Sequence, residues 1–133
     1  MPKKNTYVYK EQTPSYEHQS VYSLYISPST IKEAGNGVFT NDLILKNTFI
    51  DTYRGNYQSI PTSKYYFSIH DTYGIDAVNY PRCYMAMLND VVNSNYKPNC
   101  EFIVSGDHVS VWSTRDIHQG EELFISYGDD YWK

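Results

Sequence analysis

Residues 120–132, "GEELFISYGDDYW", are the stretch whose reading decides the fold. Gly120 marks a turn, two carboxylates follow, and an apolar run then leads to Tyr127 and a second glycine. A short run of β-branched and aromatic residues bounded by glycines predicts a strand over 122–127. Neighbours on a strand point to opposite faces, so Glu121 and Glu122 do not form a general acid/base pair. A tyrosine at a strand end, followed by glycine, can present its hydroxyl to a pocket. That makes Tyr127 the first candidate site residue.

Upstream the same periodicity recurs. "VYSLYI" (21–26) alternates, "GVF" (37–39) follows a glycine turn, and "TFIDTY" (48–53) alternates again. "KYYFSI" (64–69) and "YGIDAV" (73–78) come after turn residues, and "CEFIV" (100–104) and "HVSVW" (108–112) flank Ser105-Gly106-Asp107, a hairpin signal. Only "RCYMAML" (82–88) offers a helical turn or two. Short strands, frequent turns and few helical periods predict a mostly β domain. Residues 1–21 are polar and without period, an N-terminal tail or loosely docked arm, which leaves 22–133 as the domain. A faint echo links "TNDLILKNTFIDTYRG" (40–55) with "TRDIHQGEELFISYG" (114–128), two similar turn–strand units within one sheet system.

Composition sets the limits. A chain of 133 residues has room for one modest core. Tyrosine is over-represented, at 15 residues, which suits half-buried channels and equally suits strands. A net charge of −4 argues against a nucleic-acid partner and fits a cationic ligand or peptide. Cys83 and Cys100 are too few for a disulfide framework and lack zinc-ligand spacing, so a reducing, intracellular setting is expected. No run reaches membrane-helix length and no signal peptide opens the chain, so no membrane partner is expected. The nucleophile elbow and phosphate-cradling loop motifs are missing. His18, His70, His108 and His118 are scattered, so no metal site is expected.

Besides the closing stretch, two features remain. Gly35-Asn36-Gly37 is a Gly-x-Gly turn between strands, where backbone can approach a ligand closely. Asn89-Asp90 follows an apolar run and opens an Asn-rich loop that ends at Pro98-Asn99. Each alone is more often structural than functional.

In this order the motifs resemble the SET-domain family of protein lysine methyltransferases, over most of the chain from about Leu24 to Trp132. "AGNGVF" is similar to the family's cofactor loop, "TFIDTYRG" to its strand ending in Tyr-x-Gly, and "YYFSI" with "GIDA" to the next pair of strands. "RDIHQGEELFISYGDDYW" resembles its closing signature, and "ISYGDDYW" the ending of small viral SET proteins. There is one departure. The family's Asn-His-Ser-x-x-Pro-Asn is not matched. Asn89-Asp90, with extra residues before Pro98-Asn99, stands in its place, while a gapless alignment would use Asn93-Ser94. The preceding "MAML" favours Asn89, and either way the histidine is replaced.

The resemblance implies a mostly β fold of several small sheets, few short helices and a knot-like C-terminal segment. It implies transfer of a methyl group from S-adenosylmethionine to a lysine, most simply on a histone tail, in the nucleus, or the host nucleus for a viral protein. Tyr127 is implied as the main catalytic tyrosine, with Tyr65 and Tyr131 as further channel candidates. Gly35, Asn36, Gly37, Asn89 and Trp132 are implied on the cofactor side, with Ile125 and Tyr53 in the substrate channel. An apolar Ile125 implies di- or trimethylation. The family's cysteine-rich closing segment is not seen after Trp132. The channel would then be closed by Tyr131 and Trp132, by the N-terminal arm, or by a second subunit in a homodimer. The competing expectation is an inactive SET-like module that binds peptides, for which the replaced histidine is the chief argument.

Overall fold

The computed structural model describes residues 8–9, 21–60, 63–70, 73–79 and 82–127. Tyr131 and Trp132 lie outside these residues, as do most of residues 1–21. The described chain is built from short strands in four small sheets, with one 3-10 turn, Tyr84–Ala86, where a helical turn was expected. The expected mostly β architecture of small sheets is what the chain adopts.

The largest sheet has the order β1 (Val8–Tyr9), β9 (Cys100–Ser105), β10 (His108–Ser113), β4 (Phe49–Tyr53). Its centre is the predicted hairpin. Gly106 takes φ +57° at the turn, and Val104 faces Val109 as Phe102 faces Val111. Phe102, Val104, Val109 and Val111 are buried, each contributing about 1.5–3 kcal/mol relative to exposure. Val8–Tyr9 pairs in parallel with Ile103–Val104, so two residues of the expected arm form an edge strand.

Strands β2 (Leu24–Pro28) and β3 (Asn36–Thr40) form an antiparallel pair, and β5 (Asn56–Gln58), β7 (Tyr73–Asp76) and β6 (Tyr66–His70) form a three-stranded sheet. The last sheet is a parallel pair of two-residue strands, β8 (Asn89–Asp90) and β11 (Phe124–Ile125).

The run predicted as a strand over 122–127 is laddered only at Phe124–Ile125, because its backbone groups go to several partners in turn. Thr40 N–H donates to Glu121 O, and Leu123 N–H to Val38 O. On the other edge, Val91 N–H donates to Ile125 O and Asn99 N–H to Phe124 O. The fully buried Asn99 side chain accepts Phe124 N–H at 2.7 Å and donates to Glu122 O at 2.9 Å. Backbone groups removed from water need such partners. The C-terminal segment is thereby gripped between β3 and the 89–99 loop. The two echoed units also meet: Ile44 and Ile117, both fully buried, exchange backbone hydrogen bonds. Among the described residues no helix is long and apolar enough to cross a membrane.

Candidate active site

The two turns and the last strand converge on one cleft of about 390 Å³. Its wall includes Asn36 and Gly37 from the Gly-x-Gly turn, Tyr65 before β6, Asn89 and Asp90 of β8, and Tyr127 beyond β11. These residues are far apart in sequence and are joined here by the gripped C-terminal segment. A larger cleft of about 640 Å³, walled in part by Arg54, Asp76 and Arg82, contains none of the described candidate site residues.

The turn is shaped by what lies beneath it. Gly35 takes φ +73°, and its carbonyl accepts Ser29 N–H at 2.8 Å, closing the β2–β3 connection. A Cβ on Gly37 would sit 2.1 Å from Glu122 Oε2 and 3.2 Å from Asn89 Nδ2. Glycine is therefore required there by the close approach of a buried carboxylate.

Glu122 is 3% exposed. Its Oε1 accepts from Thr30 N–H and Thr30 Oγ1–H, each at 2.8 Å, and its Oε2 from Ser29 Oγ–H at 2.8 Å and Asn89 Nδ2–H at 3.1 Å. A buried carboxylate is tolerated only when hydrogen-bonded in this way. Glu121 faces outward instead, 3.4 Å from Arg115. The adjacent carboxylates thus point apart, and Glu122 is an anchor for the loop.

Asn89 gives its other amide hydrogen to Asn36 O at 3.0 Å, so it holds the backbone of the Gly-x-Gly turn in place. Asn93, the alternative alignment, lies in an exposed turn at φ +60°. Asp90 follows Asn89 on β8. Its Oδ2 accepts Tyr127 N–H at 2.7 Å and its Oδ1 accepts Val92 N–H at 2.8 Å.

The three described tyrosine candidates are linked. Tyr127 OH donates to Leu88 O at 3.4 Å, and its ring lies 5.7 Å from Phe102. Phe102 in turn packs at 6.1 Å from Tyr53, whose hydroxyl donates to Tyr65 O. The Arg82 guanidinium stacks over the Tyr65 ring at 3.8 Å, within cation–π range. Ile125 is fully buried two residues before Tyr127.

Neither thiol is poised as a nucleophile. Burial raises the Cys83 and Cys100 pKa values, so both stay protonated at neutral pH. The reading of the motifs did not single out Glu122 as an anchor, Asp90 as a backbone pin, or Lys64, which also lines the cleft. The Ser29-Thr30 pair was the available signal for Glu122, since two hydroxyl residues beside a glycine turn are ready donors to a buried carboxylate.

Residues 35–128 match the SET domain family, and the chain belongs to it. Among curated proteins it is similar to the N-lysine methyltransferase KMT5A-A of Danio rerio, at 28% identity over 116 residues. That alignment covers 74% of this chain and 34% of the relative, so the chain spans about a third of the relative's length.

Proposed function

We propose that this chain is an S-adenosylmethionine-dependent protein-lysine N-methyltransferase that acts on a histone tail. The observation that carries the reading is the convergence of Asn36, Gly37, Tyr65, Asn89 and Tyr127 on one cleft, in a chain of the SET-domain family.

The cleft fits the donor. Its volume of about 390 Å³ falls in the usual range for small-molecule sites, about 300–1,000 Å³. Its wall combines backbone from Asn36 and Gly37 with the aromatic side chain of Tyr127, while Gly35 does not line it. When bound, S-adenosylmethionine supplies an electrophilic methyl group. Asn36 and Gly37 offer backbone at the cleft wall, and Tyr127 offers a ring face worth about 0.5–2 kcal/mol to a sulfonium or methylammonium, while the Tyr65 ring already carries Arg82. The tyrosine hydroxyls and the Leu88 carbonyl are acceptors for weak C–H···O contacts.

The incoming lysine nitrogen must be neutral to attack, while a free lysine has a pKa of about 10.4. A narrow aromatic channel disfavours the ammonium form through desolvation. The neutral nitrogen would receive the methyl group of bound S-adenosylmethionine, with the thioether S-adenosylhomocysteine as leaving group and the amine's extra proton passing to water. No protein nucleophile takes part, so the chain's contribution is positioning and electrostatics.

Ile125 adds no hydroxyl near the reacting amine, which supports successive transfers and di- or trimethylated products. A histone target would also place the protein in the nucleus. The rival expectation of an inactive peptide-binding module drew on the replaced histidine, and Asp90's hydrogen bonds to the Tyr127 strand weaken that argument.

The test is incubation of the full chain with methyl-labelled S-adenosylmethionine and mixed core histones, followed by hydrolysis and identification of methyllysine. Label in one histone is expected. Cofactor binding without histone labelling would move the substrate to another protein, and absence of both would overturn the reading.

A further inference from the structure

The charges around the cleft are sparse and ordered. Among the described residues on its wall, Lys64 is the one cation and Asp90 the one anion. Asp90 has both oxygens engaged by backbone N–H groups, and Asn89 has given both amide hydrogens to Asn36 O and Glu122 Oε2. Lys64 differs. No carboxylate among the described residues pairs with it, and its Nζ lies 5.2 Å from the Tyr65 ring centroid.

Arg82 is the instructive contrast. It also sits on Tyr65, but it donates to the carbonyls of Ala77 and Val78 and lines the other cleft. The second cation beside Tyr65 is thus committed to backbone, and Lys64 is left facing the cleft. A surface lysine is usually just a solvated charge. Here it is the one cationic donor, among the described residues, on the wall of a cleft whose proposed ligand carries an α-carboxylate.

We propose that Lys64 binds the α-carboxylate of the methyl donor and so selects for the amino-acid end of that ligand. This inference rests on the cofactor reading given above. A lysine ammonium is a point charge on a flexible stem, suited to a carboxylate at a cleft mouth where a rigid fork is not required.

The experiment is calorimetric titration of the full chain with S-adenosylmethionine and with its decarboxylated analogue. It compares wild type, Lys64→Met and Lys64→Arg. A charge-assisted but solvent-accessible contact predicts that Lys64→Met weakens S-adenosylmethionine binding roughly five- to tenfold. Affinity for the decarboxylated analogue should stay within about twofold of wild type, since that ligand offers no group for the ammonium to hold. Lys64→Arg should retain most of the lost affinity. Equal weakening of both ligands, or no change in either, would overturn the assignment while leaving the cofactor reading intact. Failure of the wild type to bind either ligand would overturn both.

Discussion

The Asp90 carboxylate accepts the backbone N–H of Tyr127 at 2.7 Å while its other oxygen accepts Val92 N–H at 2.8 Å. One side chain therefore ties the end of the last strand to the turn after β8. The bond fixes the backbone of the tyrosine proposed to stand at the transfer point. Asp90→Ala should lower kcat by roughly ten- to a hundredfold, because small misplacements at a reacting centre are costly. Cofactor affinity should change much less, and Asp90→Asn, which keeps one acceptor oxygen, should recover part of the loss. Single-turnover kinetics with calorimetry on the same variants would check this. An unchanged kcat in Asp90→Ala would contradict it.

Gly37 and Glu122 make a stability prediction. The Gly37 Cα lies against a carboxylate held by Ser29, Thr30 and Asn89, so Glu122 cannot move aside without breaking those bonds. Gly37→Ala should destabilise the chain by about 1–3 kcal/mol through overpacking. Glu122→Gln, which turns an amide N–H₂ towards donors, should cost about 1–3 kcal/mol. Denaturant unfolding of both variants measures this. Wild-type midpoints would show that the carboxylate does not hold the loop.

The closing strand shows what was legible beforehand and what was not. Its turn, its apolar run and Tyr127 could be read from local pattern, as could the hairpin at Gly106, because both signals are short-range. The two-residue strand β8 and the three-residue β5 could not, since neither has a period and each exists only through a partner distant in sequence. The cleft's Tyr65, Tyr127 and Gly37 were found through motif order. Glu122 and Asp90 were visible as motif residues, but their partners, Thr30 and Tyr127, lie 92 and 37 residues away. Acceptors that satisfy backbone from such a distance leave no local signature.

Under the proposed function the product state depends on Ile125, which is fully buried two residues before Tyr127. Ile125→Tyr would bring a hydroxyl to this apolar position and should shift the product towards monomethyllysine. The larger ring should also cost about 1–3 kcal/mol of stability. Mass spectrometry of product peptides at long times resolves the methyl states. Only monomethyl product from the wild type would contradict the role given to Ile125.

The two thiols give a pH-dependent prediction. Burial raises both pKa values, and for Cys83 this outweighs the lowering by backbone hydrogen bonds to Arg54 and Ala86. A raised thiol pKa means less thiolate at a given pH, so both cysteines should resist iodoacetamide in the native chain between about pH 7 and 8.5, where a free thiol of pKa near 8.5 reacts. Both should react in denaturant. Rapid native labelling of either, followed by mass spectrometry, would show that its burial is transient.

The central claim is that Tyr127 stands at the point of methyl transfer. The direct measurement is methyl transfer to core histones by wild type and Tyr127→Phe at saturating S-adenosylmethionine, with cofactor affinity determined separately by calorimetry. The account predicts that removal of one hydroxyl lowers kcat by roughly a hundredfold or more, while cofactor affinity changes less than about threefold. Equal turnover by the two proteins would contradict it.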